Sequence, residues 1–181
     1  HLELSFGGVL DQAATVSLTV SEAVAGKLGA PFYGAIEVRA RDGEWRQPRN
    51  DLFVFHDKEG DEKDRVGTRS FTGVLFVADR AGVHLISPSM TDGSITWPNA
   101  SAGAVMSDLL DRITGHGITR SFTPTHDSKG RAWPSADKTD HTANQLSSIG
   151  SVLSQLAEGA YCQWYSLGTE LVLDVARSGV D

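Results

Sequence analysis

The chain has 181 residues, 40% of them hydrophobic, which is enough apolar content for one large core or two small ones. Its longest uninterrupted apolar run, Val74 to Ala78, is far short of the roughly 20 residues of a bilayer-spanning helix, so no membrane span is expected. The formal net charge of −7, with no Lys/Arg-rich run interleaved with aromatics, argues against nucleic-acid binding, and a single cysteine, Cys162, excludes an intrachain disulfide and a multi-thiolate zinc site.

The first half reads as strands punctuated by turns. In "TVSLTV", Val16, Leu18 and Val20 alternate with polar residues, the period-2 signature of a half-buried strand. A short helical or irregular piece, "SEAVAGKLG", leads to "YGAIEVRA", a strand with Ile36 and Val38 on one face. Asp42-Gly43 is a hairpin turn signal. Next come the strand "DLFVFHD", the acidic loop "KEGDEKD" and the strand "RVGTRSFTGVLFVA". Four or five strands at this spacing predict an antiparallel sheet or small barrel over residues 1–90.

Between Ile86 and Ser101 two prolines, a glycine and several hydroxyl residues break all periodicity, so a domain boundary is expected there. Trp97 and Ile95 within this stretch need not be exposed if it packs on its neighbour. Beyond it the pattern becomes helical. Ser101 caps a predicted helix over Ala102–Thr114, with Val105, Met106, Leu109, Leu110 and Ile113 on one face and Ser107, Asp108, Asp111 and Arg112 on the other. Gly115 and Gly117 end it, and a short strand "ITRSFT" follows. A second helix is predicted over Asn144–Glu158, with Leu146, Ile149, Leu153 and Leu156 as its stripe and Gly150 as a point of close packing. The strands "AYCQWYS" and "TELVLDVA" close the chain around Leu167-Gly168, with Cys162 expected as a small packed residue. Residues 91–181 thus read as a small α+β module of two helices and a C-terminal hairpin. The fold class expected is α+β: an antiparallel β-rich N-terminal domain followed by this module. A chain that starts on His1 is expected to be a segment of a longer one.

Between the short strand and the second helix lies "FTPTHDSKGRAWP", Phe122 to Pro134, with little apolar periodicity and a concentration of functional groups. Its His126-Asp127 pair, with His116, Asp140 and His141, supplies zinc- or iron-type ligands, but the spacing matches no metal motif, so neither metal nor cofactor is expected. His116, between two glycines, reads as a cation at the negative end of a helix dipole. "SIGSVLS" is not the nucleophile elbow of a serine hydrolase. The acidic stretch Asp57, Glu59, Asp61, Glu62, Asp64 lacks the glycine that an EF-hand loop places sixth and is partly neutralised by Lys58, Lys63 and Arg65. Glu37, Glu44 and Asp51 carry no context that marks a glycosidase pair. No catalytic residues are assigned, and an enzyme is not expected.

A resemblance emerges from longer segments. "WPNASAGAVMSDLLDRITGHGIT", "SFTPTHDSKGRAWP" and "SSIGSVLSQLAEGAYCQWY", together with "GEWRQPRNDLFVFHDKEGDEKDRVGTRSFTG" in the first half, resemble minor tail proteins of long-tailed phages that infect actinobacteria. The resemblance spans residues 33–176 and is sharpest at Thr125 to Trp133. It implies β-rich and α+β domains of a tail hub or baseplate hub, a ring of copies, often a trimer, at the distal end of the virion tail, assembled in the host cytoplasm. The implied partners are copies of the chain, distal tail and tape measure proteins, and a host cell-surface glycan. It also implies a structural role for the loop as a fixed protrusion packing on a neighbour through Trp133, His126, Asp127, Lys129 and Arg131. Two alternatives stand beside this. Trp133 covers the core of its own module, or the chain is a cell-wall hydrolase domain or a carbohydrate-binding module that stacks sugars on Trp45, Trp97, Trp133 or Trp164.

Overall fold

The computed structural model describes residues 3–7, 15–47, 51–57, 67–83, 93–144 and 146–176. The acidic stretch Lys58–Asp64 and most of the segment from Ile86 toward Ser94 lie outside them. The fold is mixed α+β, with antiparallel sheets and a few helices. Packing divides it into two compact units, His1–Phe76 and Val77–Asp181, a division upstream of the one expected near residue 90.

In the first unit, strands β1 (Glu3–Gly7), β2 (Thr15–Ser21), β3 (Phe32–Gly34), β6 (Phe53–Asp57) and β7 (Thr68–Leu75) form one antiparallel sheet in the order β1-β2-β7-β6-β3. Strand β6 buries Phe53, Val54 and Phe55 in succession, so both its faces are covered. Phe32 stacks on Phe55 at 4.9 Å and meets the edge of Phe71 at 5.2 Å. Gly73 of β7 makes room for this cluster: a Cβ there would stand 2.6 Å from Val16 and 2.7 Å from the Phe55 ring. A one-turn helix, α1 (Glu22–Ala25), follows β2.

The segment expected as one strand, Tyr33–Ala40, changes partner midway. Its start pairs with β6 as part of β3, whereas β4 (Val38–Arg39) pairs with β5 (Trp45–Arg46) in a separate hairpin. Gly43 takes φ +86° in its turn, and Asp42 Oδ1 accepts from Glu44 N at 3.0 Å, as the Asp-Gly signal predicts.

Helix α2 (Phe76–Val83), all but its first residue in the second unit, stands where the sequence pattern predicts the continuation of a strand. A short apolar run fits a buried strand or a buried helix equally, and periodicity alone does not separate them. Then come β8 (Ser94–Ala100), α3 (Ala102–Arg112), β9 (Thr119–Arg120), a 3₁₀ turn at Ser135–Asp137, β10 (Thr139–Asn144), α4 (Ile149–Glu158), β11 (Gln163–Leu167) and β12 (Glu170–Asp174). Strands β8 and β10 pair antiparallel, and β11-β12-β9 form a three-stranded sheet whose β12–β9 pair is parallel.

Part of the segment expected as a boundary is therefore strand, and Trp97 within it is buried. Its indole Nε1 donates to Asp108 Oδ2 at 2.7 Å, and Arg112 Nε donates to the same oxygen at 2.6 Å. Burial opposes the charge on Asp108, but the bonds from Arg112 and Trp97 outweigh it and hold the carboxyl below its ordinary value.

Helix α3 follows its pattern closely. Ser101 accepts from Ala104 N at 3.2 Å as N-cap, and Val105, Met106, Leu109 and Leu110 are buried. Ser107 is buried too, against the expectation for its face, and its carbonyl receives Arg120 Nη1 at 3.2 Å. Helix α4 starts later than predicted, because Thr139–Asn144 pairs with β8 and Ser148 is the cap, accepting from Ser151 N at 3.0 Å. Leu146 consequently leaves the apolar stripe: it is 65% exposed, with φ +71°. Ile149, Val152, Leu153 and Leu156 are buried, as are Cys162, Leu171 and Leu173. A Cβ on Gly150 would stand 3.4 Å from the backbone of Ala81, so α4 lies close against α2 where that glycine predicts contact.

Beyond Gly159, which ends α4, Ala160 takes φ +57° while its N–H reaches the Ala157 carbonyl and Tyr161 N reaches the Leu156 carbonyl. A left-handed alanine costs roughly 1–2 kcal/mol, and glycine there gives part of that back as lost chain entropy. Ala160→Gly should therefore stabilise the chain by about 0.5–1 kcal/mol in reversible denaturation. A midpoint that stays put or falls would show that Ala160 makes a contact worth more than its strain.

Candidate functional site

The loop Phe122–Pro134 is anchored at both ends by aromatic residues that lie inside the second unit. Phe122 is 2% exposed and Trp133 6%. Trp133 lies over the first turn of α3, where its Nε1 donates to the Thr123 carbonyl at 3.1 Å. Gly103 allows this: a Cβ there would come within 2.2 Å of Trp133 Nε1 and 2.6 Å of the Thr123 oxygen. Ser101, besides capping α3, donates its hydroxyl to the Pro124 carbonyl at 3.0 Å. The "SAG" that opens α3 and the "AW" that closes the loop are thus two halves of one contact.

Within the loop, Thr123 N donates to His126 O at 2.9 Å, Trp133 N to Thr125 O at 3.2 Å, and His126 forms an isolated antiparallel bridge with Ala132. Gly130, at φ +77°, turns the tip, with its N–H on the Asp127 carbonyl at 3.0 Å. The side chain of Asp127 is completely buried at the centre. Its Oδ1 accepts from Lys129 N at 2.9 Å and Arg131 N at 2.8 Å. Its Oδ2 accepts from Arg131 Nε at 2.7 Å and from Val175 N at 3.1 Å, with Arg131 Nη2 at 2.6 Å.

The last of those backbone bonds connects the loop to the sheet. Strand β9 covers β12 only at Glu170 and Leu171, and beyond that the loop takes over. Ser128 N donates to Leu173 O at 2.8 Å, Leu173 N donates to Ser128 Oγ at 3.0 Å, and the Asp127 carboxylate receives Val175 N–H. The loop serves as a substitute strand along the far edge of β12. Lys129 reaches Asp174, a buried residue at the end of β12, through Oδ2. Among the described residues Asp174 Oδ1 has no hydrogen-bond partner, and Arg131 Nη2 lies 4.0 Å from it.

The five residues singled out in the sequence are thus together, but they do different work. Trp133 and Asp127 are interior, and the alternative in which Trp133 covers its own module describes where the indole lies. His126, Lys129 and Arg131 are on the surface, Lys129 and Arg131 with side chains 55% and 47% exposed. His126 Nδ1 pairs with Thr125 Oγ1 at 2.9 Å. Sequence reasoning missed Asp174, Ser128 and Gly103. A carboxylate interrupting the apolar run "LVLDV" is a legible sign of a buried charge that needs a partner.

The other histidines do not join this cluster. His116 Nε2 lies 3.0 Å from the Leu110 carbonyl and its Nδ1 accepts from Ile118 N at 2.8 Å, so it closes the end of α3 through hydrogen bonds suited to the Nε2–H tautomer rather than through charge alone. His141 meets the Tyr161 ring edge-on at 5.0 Å, and burial lowers its pKa. Asp140 Oδ1 accepts from Asn99 N at 2.8 Å. Among the described residues, no three His, Cys, Asp or Glu side chains converge as a metal site would require. Trp97 and Trp133 are buried, whereas Trp45 is 64% exposed and Trp164 partly so. No described helix is long and apolar enough to cross a membrane.

Comparison with protein-family models, with curated proteins and with solved structures finds no match in any of the three.

Two outcomes follow from the loop's construction. Gly103→Ala forces Trp133 off α3 and should cost about 1–3 kcal/mol, with tryptophan emission shifted toward the solvent-exposed range and faster proteolysis within Phe122–Pro134. Unchanged emission and stability would mean that Trp133 does not lean on this turn.

The second outcome concerns pH. Burial alone would raise the Asp127 pKa, but the bonds from the backbone of Arg131 and Val175, the Arg131 guanidinium and Lys129 N together depress it. A depressed carboxyl contributes stability that is present above its unfolded value, about 3.9, and is lost as pH falls through the lower folded value. Asp127→Asn should therefore be less stable than the parent at neutral pH, with the difference shrinking in acid. A constant difference across that window would show that the charge is not what holds the loop.

Proposed function

We propose that the chain is a non-enzymatic structural part of a phage tail tip or baseplate hub, forming a ring with copies of itself and contacting other tail proteins, with the Phe122–Pro134 loop as a fixed protrusion. The motif that carries the resemblance to minor tail proteins is held by bonds from its own backbone, from Ser101 and from β12, and this observation supports the reading best. Asp127 is surrounded by donors from its own loop and from Val175, and Trp133 is packed on Gly103. A loop so held keeps its shape without a partner and presents His126, Lys129 and Arg131 outward.

A hydrolase reading needs a base at this loop with capacity to accept a proton, yet the Asp127 carboxylate already receives several donors and sits below its ordinary pKa. A carbohydrate-binding reading loses two of its four tryptophans to the interior. A ring subunit uses two different surfaces that meet in neighbouring copies, and the loop is the first candidate for one of them. Neighbours in such a ring would include distal tail and tape measure proteins, at the distal end of the virion.

The decisive measurement is location. Particles purified from cells that carry the gene should contain the chain by mass spectrometry, and an antibody against it should label one end of the tail. A chain abundant in the lysate and absent from purified particles would overturn the reading.

A further inference from the structure

The ribbon of β8 and β10 meets the end of α4 through one imidazole. His141 lies on β10 opposite Trp97, beside a shift in the pairing: between Thr139 and His141 the ladder sets Asp140 against two residues of β8, Pro98 and Asn99. Asn99 takes φ +49° there, and its N–H donates to Asp140 Oδ1 at 2.8 Å. A bulge of this kind re-aims the side chains beside it. The His141 ring meets Tyr161 edge-on, with centroids 5.0 Å apart and planes at 90°. Tyr161 is itself fixed by the turn after α4. Its N–H reaches the Leu156 carbonyl at 3.0 Å, and its ring covers Gly159, where a Cβ would stand 2.4 Å from it.

The two ring nitrogens of His141 differ. The imidazole bonds the Ala100 backbone, whereas Nε2 is buried and has no partner among the described residues. The bonded nitrogen is therefore Nδ1, which fixes the neutral ring with its proton on that side. Protonation would turn Nε2 into a charged donor in a place without an acceptor, since an aromatic ring such as Tyr161 is at best a weak one. The residue as a whole is only half-buried, so a charged ring has a route to water. Neighbouring charges do not supply the missing acceptor. Strand β8 carries none, and α4 carries only Glu158, at its last position. Asp108 and Arg112, beyond Trp97, pair with each other. Asp140 favours the charged ring, as does the Ala100 bond, but burial outweighs both.

We propose that His141 is a pH-sensitive latch: neutral, it holds the β8–β10 ribbon to the end of α4 through Tyr161, and protonated, it leaves that place and frees β10. Strand β10 runs from the 3₁₀ turn after the Phe122–Pro134 loop toward α4, so mild acid loosens the connection between loop and helix. The sheet of β9, β11 and β12 carries no histidine and stays closed. The latch stands whether or not the chain belongs to a tail. Its sign follows from the lowered pKa: the contribution to stability is present above the unfolded value, about 6.5, and is lost as pH falls through the lower folded value. This window opens well above that of Asp127.

The test compares the whole chain with His141→Gln, which keeps a donor and does not titrate. Between about pH 7 and 5 the folding equilibrium constant of the parent should fall severalfold relative to that of the variant. Amide exchange, corrected for its intrinsic pH dependence, should quicken in acid at Thr139–Asn144 and Tyr161 of the parent, with β11 and β12 still protected. In the variant these amides should show no such change with pH. The parent alone supplies a further check that needs no substitution: the His141 ring, followed by nuclear magnetic resonance, should titrate below about 6.5. A ring that titrates at or above that value, a difference between parent and variant that is constant with pH, or exchange that quickens throughout the second unit at once would each overturn the proposal.

Discussion

The second unit depends on how the edge of β12 is satisfied. A buried strand needs partners for its backbone groups on both sides, and an unmet N–H or C=O in the interior costs on the order of 1–3 kcal/mol. Strand β9 covers two residues of that edge and stops. From there the chain supplies a side chain from Ser128 and a carboxylate from Asp127 in place of a strand, so a segment with no regular secondary structure becomes part of the sheet. That requirement explains why Asp127 is interior and why Arg131 lies against it: a buried carboxylate persists only when its lone pairs are met.

The same requirement ties together residues far apart in sequence. For the loop to reach β12 its two ends must be fixed, and they are fixed on α3. Ser101 holds Pro124, and Gly103 leaves space for Trp133. The helix start, the loop and the last strand are therefore joined through these contacts, and a methyl group added at residue 103 would meet Trp133 and the Thr123 carbonyl, one at each end of the loop. This gives a physical reason for "SAG" and "THDSKGRAW" to occur together in one chain, independent of any resemblance.

Much of this was legible where local chemistry decides. The Ser101 cap, the apolar stripe of α3, the Asp42-Gly43 turn and the closing hairpin follow from spacing and residue type. What failed was pairing between segments distant in sequence. The strand Thr139–Asn144 carries hydroxyl and polar residues without a clean alternation, and only its register against Ser94–Ala100 makes it a strand. That pairing removed Asn144 and Leu146 from the predicted helix and moved the cap to Ser148. The stretch Val74–Ala78 was ambiguous for a different reason, since five apolar residues satisfy a strand and a helix alike. At the loop, the cluster of chemical groups could be read from the sequence, whereas their orientation could not. One of the donors that the inward-turned Asp127 carboxylate meets is Val175 N–H, 48 positions away.

The bracing of the loop also limits what it can contribute to assembly. A segment already ordered in the free chain avoids most of the entropy cost of docking, which favours a fixed contact with a set register. Its two exposed cations, however, are already engaged by Asp127 and Asp174, and half-exposed ion pairs of this kind add little affinity. The loop is therefore better suited to choosing a partner and its orientation than to holding it. Binding energy must come from surface that is apolar or carries unmet backbone groups. In the second unit Tyr165 and Leu167 on β11 are exposed apolar surface of the first kind.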